Sequence, residues 1–421
     1  MMRVTMAKPG MIEIVAHIHH IYLFDIDGIC NALGVIAASG VLTSNRSCDI
    51  ASIEDARKRR HATFQQRGTI TQSEALKAKL YELADRGISL HCILNFYRDM
   101  RSCHWPEFDP KRSTTSDVVR HVIIPLTASS GFAYSTLVSG GVRVRARTMV
   151  THNWGNKFHD LVSAIVADAL GEPDYMLVSA FLDRNVDRLI ELLHRVGKLD
   201  NVYWICAFSV AQHHSICNIT FGGCNSVTGI PYPQCACGRA KYLNDTPPLT
   251  DSGRSIPCEM DKFSDMMQVL AADQPDFTQV IAVDARCDLF SRAWCVSEIS
   301  QAYDVGLEQR VMFRSAEDLS REQERLKSLR VEDMAATRIE DVEAILESIP
   351  DKSAFNAHMQ AIMFNAGDGI LRNWRHADKA DALFKLGRYA LWMQTAGRRP
   401  SLVGAIRQSR GSESSGDSVI L

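Results

Sequence analysis

Residues 278–303 read TQVIAVDARCDLFSRAWCVSEISQAY, a short apolar run followed directly by a stretch with helical spacing. The run TQVIAVD has the continuous apolar character of a strand that is buried on both faces. After it, Cys295, Ile299 and Ala302 recur at intervals of three and four residues and line one face of a helix. The pairing predicts one strand–helix unit of a parallel sheet.

Three further apolar runs, RTMVTH, NVYWICAFS and QRVMF, also alternate with helical patterns. Together the four runs predict parallel strands near 147–152, 202–208, 278–284 and 309–313. Helical patterns lie between and beside them at 156–170, 183–196, 259–270 and 288–303. The sequence therefore predicts an α/β fold with a parallel, doubly wound sheet that carries helices on both faces.

Changes in composition along the chain predict five segments. Residues 1–50 form an N-terminal segment of unclear fold, 51–135 a helical region, and 146–350 the α/β domain with a cysteine-rich insertion at 213–258. Residues 351–398 are expected to add C-terminal helices. The Ser/Gly-rich tail, 399–421, has the composition of a disordered segment.

Composition excludes several classes of function. The chain has 421 residues, 46% of them hydrophobic and 23% charged, with a formal net charge of −2. Because there is no basic excess, nucleic-acid binding is not expected. The most apolar N-terminal stretch, residues 21–42, contains Asp25 and Asp27, which disfavours a membrane span. We expect a cytoplasmic protein with mostly reduced cysteines.

Three stretches resemble known families. The piece SRAWCVSEI, residues 291–299, resembles the S-x-W-C-x-x-E-[LI] signature of Toll/interleukin receptor (TIR) domains. Residues 150–170 resemble the first strand and helix of that fold. Residues 203–212, YWICAFSVAQ, are similar to the W-I-D-x-x-x-I-N-Q motif of fungal heterokaryon-incompatibility domains, which are TIR-like. The paired tryptophan-containing motifs also resemble uncharacterised algal and protist proteins.

The resemblance implies a TIR-like (flavodoxin-like) sheet and two functions. One is an intracellular signalling or interaction module that binds protein partners or self-associates through the TIR-like domain. The other is an NAD-cleaving hydrolase with NAD as its substrate, in which the motif glutamate, Glu298, is catalytic. The sequence departs from the incompatibility motif, because Cys206 stands at its Asp position and Ala211 at its Asn position.

Residues near the predicted strand ends are candidates for ligand binding. Trp154 can stack on a flat ligand, His152 can donate to a phosphate or ribose, and Lys157 opens a helix whose free N–H groups favour anions. Helical spacing places Ser291 and Trp294 on the same face as Glu298, and Arg292 lies beside them.

Structural roles for the same residues remain open. Trp154 can seal the end of the sheet, His152 can bond to the backbone, and Glu298 can pair with Arg292 or be solvated. The chain contains neither G-x-G-x-x-G nor G-x-x-x-x-G-K-[ST], so neither of these nucleotide-binding motifs supports a site. A cysteine–histidine hydrolase that uses Cys295 or Cys206 is a further alternative.

The insertion at 213–258 holds candidate metal ligands. Zinc prefers four soft ligands, and a Gly/Pro-rich loop would gain order from one bound ion. If the insertion binds a structural zinc, at least three of the candidates should converge; the alternative is a set of reduced loop thiols. The candidates are His213, Cys217, Cys224, Cys235, Cys237 and Cys258.

Overall fold

The computed structural model describes residues 4–6, 12–14, 74–219, 223–336, 339–347, 349–365 and 369–371. The chain divides into two units, one of residues 48–377 and one that combines 1–47 with 378–421. The described part of the second unit is an antiparallel pair of strands, β1 (Val4–Met6) and β2 (Ile12–Ile14). Most of the predicted segment 1–50, the predicted tail and residues 372–398 of the predicted C-terminal helices lie outside the described residues.

The larger unit contains a five-stranded sheet. Its strands are β3 (Ile88–Ser89), β4 (Thr148–His152), β5 (Val202–Ile205), β6 (Thr278–Ala282) and β7 (Glu308–Met312), in the order β3-β5-β4-β6-β7. The last four are mutually parallel, as the apolar runs predict. An α/β fold with a mostly parallel sheet is thereby confirmed. The TIR-like identity and the doubly wound arrangement stay predictions.

Two differences from the predicted strands have local causes. Strand β3, which runs antiparallel to β5, lies inside the predicted helical region. It was not predicted because two residues are too few to show strand periodicity. Strand β5 ends at Ile205 rather than near 208. There Ser209 Oγ accepts a hydrogen bond from Ile205 N and Cys206 O accepts one from Val210 N, which closes a helical turn.

The helices before β4 are short apart from the first two. A π-helical turn, Met100–His104, continues the second helix, and another π-helical turn, Val119–Ile123, joins the third helix to the fourth. The helices are α1 (Glu74–Ala84), α2 (Leu90–Asp99), α3 (Thr115–Val118), α4 (Ile124–Thr127) and α5 (Tyr134–Val138).

After β4 the helices follow the predicted ranges with small shifts. The range predicted as one helix at 183–196 is divided at Asn185, which caps α8 by accepting from Arg188 N. The helices are α6 (Phe158–Leu170), α7 (Met176–Arg184), α8 (Val186–Arg195), α9 (Cys206–Ser209), α10 (Gln212–Ser215), α11 (Phe263–Asp273), α12 (Ala293–Asp304), α13 (Ala316–Lys327), α14 (Ile339–Glu347) and α15 (Lys352–Phe364).

Strand order places the expected ligand region. The chain passes from β4 to β5 on one side and then returns to place β6 on the other side of β4. In open parallel sheets, ligands bind beyond the carboxyl ends of the strands at such a reversal. Helix α12 packs against β4 and β7, and α6 packs against β6 and β7. Side chains from the starts of these two helices are therefore near that edge.

None of the helices in the described ranges combines the length and apolar character needed to cross a bilayer.

Candidate functional site

Four side chains of the insertion converge on one point. The ligand atoms of His213, Cys217, Cys235 and Cys237 all lie within 4.8 Å of one another. Cys235 Sγ is 3.6 Å from His213 Nδ1, and Cys217 Sγ is 3.6 Å from Cys237 Sγ. In a zinc tetrahedron with bonds of about 2.3 Å to sulfur and about 2.0 Å to nitrogen, these separations are about 3.5–3.8 Å. The four residues can therefore hold a metal ion.

Local structure explains how the four ligands meet. His213 lies in the single-turn helix α10, and Cys217 follows it by four residues, with its N–H donating to Gln212 O. Residues one helical turn apart share a face, so imidazole and thiol point to the same side. Cys235 and Cys237 approach from an irregular stretch of the insertion.

Groups behind the ligands orient them. His213 Nε2 lies 3.1 Å from Ile124 O, and donation of its proton to that carbonyl leaves Nδ1 free to bind a metal. Lys241 Nζ donates to Cys217 Sγ over 3.0 Å and to His213 O over 2.5 Å. Burial lowers the pKa of His213, which favours the neutral ring that a metal needs.

Two of the six predicted ligands lie elsewhere. Cys224 is exposed and forms an isolated backbone bridge with Pro231. Cys258 is buried, and its Sγ donates to Asn244 Oδ1 over 3.3 Å. The expectation that at least three of the six converge is confirmed. Cys224 and Cys258 do not belong to the cluster.

Buried polar groups attach the insertion to the preceding helices. Asp117, which is fully buried, accepts hydrogen bonds from Thr114, from Ser226 and from Tyr232 Oη. The guanidinium of Arg120 donates to backbone carbonyls just after α10. These hydrogen bonds hold the insertion, and with it the four candidate ligands, against the preceding helices.

Glu298 belongs to a buried polar network under α12. Thr151 Oγ1 donates to Glu298 Oε2 over 2.6 Å, and Gln279 Nε2 donates to Thr151 Oγ1 over 2.8 Å. Gln309 Nε2 in turn donates to Gln279 Oε1 over 2.8 Å. The side chains of three neighbouring strands therefore form a hydrogen-bonded row that ends at the Glu298 carboxylate.

Burial changes the acidity of Glu298. The residue is 9% exposed, and burial raises the pKa of its carboxyl to about 7, which the hydrogen bond from Thr151 partly opposes. The two cavities described in this structure, of about 380 and 540 Å³, are lined by other residues. Glu298 is therefore covered by side chains, and a ligand would reach it only after local rearrangement.

The raised pKa of Glu298 predicts a pH dependence of stability. Because the folded protein binds this proton more tightly than the unfolded chain, stability falls as pH rises from about 4.5 to about 7. The shift corresponds to about 3 kcal/mol in total, of which about 2–3 kcal/mol is lost between pH 5 and pH 8. We expect the free energy of unfolding, measured with urea at pH 5 and pH 8, to fall less in Glu298→Gln than in wild type, by about that amount. Equal pH slopes in the two proteins would contradict the prediction.

His152 and Trp154 gather around a cysteine of the neighbouring strand end. Trp154 Nε1 donates to Cys206 Sγ over 3.1 Å, and His152 Nε2 lies 4.0 Å from the same sulfur. Cys295 Sγ donates to His152 O over 3.5 Å. Burial lowers the pKa of His152 to about 4, so the ring is neutral. It also raises the pKa of Cys206 to about 12, which disfavours a thiolate nucleophile.

The other predicted ligand-binding residues are more scattered. Lys157 is the N-cap of α6, with Nζ 4.0 Å from Asp160. Helix α12 begins at Ala293, so the prediction that Ser291 shares its face is wrong; Ser291 lies in a 3₁₀ turn, where its Oγ donates to Asp288 O. Arg292 is the N-cap of α12 and Trp294 is half-buried in its first turn.

Sequence reasoning missed one residue at this edge of the sheet. Asp160, in the first turn of α6, is 5% exposed, and burial raises the pKa of its carboxyl to about 6. Its Oδ2 is buried and accepts no hydrogen bond from the residues that the structure describes. An acidic residue in the first turn of a helix is common, so the sequence contained no signal that sets Asp160 apart.

Known proteins were compared with this chain by family model, by sequence and by structure. No family model, curated protein or solved structure matches it.

Proposed function

We propose that this chain is a zinc-binding α/β protein whose metal centre consists of His213, Cys217, Cys235 and Cys237. The observation that carries the proposal is the convergence of three sulfurs and one imidazole nitrogen within 4.8 Å. Thiolate and imidazole are the ligands that zinc prefers, and a ligand set of three Cys and one His is common in structural sites.

The donor set supports a structural role for the ion. Four protein ligands fill a tetrahedron and leave no position for a reactive water, which catalytic zinc requires. Zinc with three thiolates and a neutral imidazole keeps one net negative charge. The ammonium of Lys241, 3.0 Å from Cys217 Sγ, balances that charge.

The ion would connect two parts of the insertion. It would join α10 and the turn after it to the stretch around residue 236, in a region with few buried apolar side chains. Metal binding supplies the free energy that such a loop lacks. We further propose, from the TIR resemblance, that the ordered domain acts as an interaction module for protein partners or for a second copy.

Metal analysis of the purified chain tests this proposal. We expect about one zinc per chain after purification under reducing conditions, with release of the ion by a strong chelator. Absence of stoichiometric zinc, in protein that refolds with added zinc and still binds none, would end the proposal.

A second candidate function is cleavage of NAD at Glu298. The supporting observation is the carboxyl of Glu298 on α12, which has a pKa of about 7 and accepts a hydrogen bond from Thr151, the residue before His152 on β4. Its burial opposes the idea unless the edge opens. Incubation of the protein with NAD, followed by chromatographic detection of released nicotinamide, distinguishes this candidate from the interaction module.

A further inference from the structure

A cavity of about 380 Å³ lies between α1, the loop around α5 and the first part of the insertion. Its volume falls in the range of small-molecule sites, about 300–1,000 Å³. Its lining includes Lys79 and Arg86 on one side, Phe132 and Arg143 on another, and His214 and Tyr242 from the insertion. The cavity contains neither Glu298 nor a ligand of the metal cluster.

The carboxylates of this cavity are already neutralised. Glu259 accepts from Lys79 Nζ over 2.7 Å and from Arg86 over 2.9 Å, and these cations hold its pKa at about 2 despite burial. Glu82 also pairs with both cations, and Asp85 pairs with Arg145. A cationic ligand would therefore find no free carboxylate in the lining.

One lining cation is available. Arg143 is exposed and makes no ion pair with any residue in the described ranges. A guanidinium presents a planar set of donors that matches the two oxygens of a carboxylate. The cavity can therefore bind one negative charge without disturbing its internal ion pairs.

The rest of the lining favours a flat apolar body. Phe132 is 58% exposed and Val142 is 67% exposed, so both present apolar surface to a ligand in the cavity. The rings of His214 and Tyr242 are stacked, with centroids 5.0 Å apart and planes 4° from parallel. Aromatic ligands gain from contact with such rings.

We propose that this cavity binds a small aromatic monoanion, with its anionic group at Arg143 and its ring among Phe132, Val142, His214 and Tyr242. Backbone bonding steadies the aromatic pair, because Tyr242 N donates to His214 O over 2.8 Å. The proposal stands on the cavity itself and does not require the metal.

Calorimetric titration of the full chain with 2-naphthoate tests the proposal. We expect saturable 1:1 binding with a Kd below about 1 mM. Arg143→Gln is expected to weaken binding about 10-fold, the loss of one charge-assisted contact. The neutral analogue 2-naphthamide should be weaker by a similar factor, and Phe132→Ala should also lose affinity. Arg188→Gln, an exposed arginine of α8 outside this cavity, is the matched control.

Three results would overturn the proposal. They are no saturable heat with wild type, unchanged affinity in Arg143→Gln, or equal affinity for the acid and the amide. Arg143 and Phe132 are both exposed, so their variants should fold; thermal unfolding verifies this. Metal content is measured on the same samples, so failure of this site and failure of the zinc proposal are separate results.

Discussion

Cys217→Ser is expected to lower the zinc affinity of the protein by at least about 100-fold, more than the loss of a residue that only orients a ligand. A serine hydroxyl is a poor zinc ligand, and the remaining three ligands cannot close the tetrahedron. Cys217 is 1% exposed, so the new hydroxyl is also buried. Competition with a chromophoric chelator measures the affinity of each variant.

The matched control for this experiment is Cys224→Ser. Cys224 lies in the same insertion but outside the cluster, and it is exposed. It should keep the wild-type affinity. Lys241→Gln should fall between the two, because it removes only the ammonium that contacts Cys217 Sγ. If Cys224→Ser loses zinc as severely as Cys217→Ser, the assignment of ligands is wrong.

Glu298→Gln is expected to abolish any NAD cleavage, with a loss of at least about 100-fold, the contribution of a positioned acid–base group. In the reaction, the bond between ribose C1 and the nicotinamide nitrogen breaks, water adds to C1 and loses one proton to solvent, and nicotinamide leaves as the neutral base. A carboxylate near the ribose stabilises the oxocarbenium-like charge, as in sugar hydrolases. Glutamine keeps the size and the acceptor for Thr151 but lacks the charge.

Nicotinamide release by wild type, Glu298→Gln and Glu324→Gln measures the effect. Glu324 is exposed on α13, so Glu324→Gln is the control that removes a carboxylate away from Glu298. If Glu298→Gln keeps most of the wild-type rate, Glu298 is not catalytic. If the wild type shows no turnover, even when concentrated to drive assembly, the interaction module is the better proposal and Glu298 is a structural carboxylate.

The order of strands and helices could be predicted because strands that are buried on both faces consist mainly of apolar residues. Every residue of β6 is buried, so Val280, Ile281 and Ala282 follow one another without a polar residue between them, and the predicted range is correct within two residues. The antiparallel strand β3 could not be predicted in this way. It has only two residues, Ile88 and Ser89, and it is a strand only because the tertiary fold brings it beside β5, which is far from it in sequence.

The candidate sites show a similar division. The sequence contains six possible metal ligands, but their spacing within a loop does not show which of them meet. In the folded insertion, four of them lie together. Likewise, the motif around Glu298 placed that residue near a strand end. Its burial where α12 packs against β4, and its contact with Thr151, depend on the pairing of strands far apart in sequence.

The position of the metal cluster along the chain affects the order of assembly. All four ligands lie within residues 213–237, and the groups that orient them, Ile124 and Lys241, also precede β6. Closing so short a loop costs little entropy. During synthesis from the N-terminus, a metal ion held by these four residues would therefore be captured before β6 and β7 emerge, and it would shape the crossover between β5 and β6 before β6 pairs with β4.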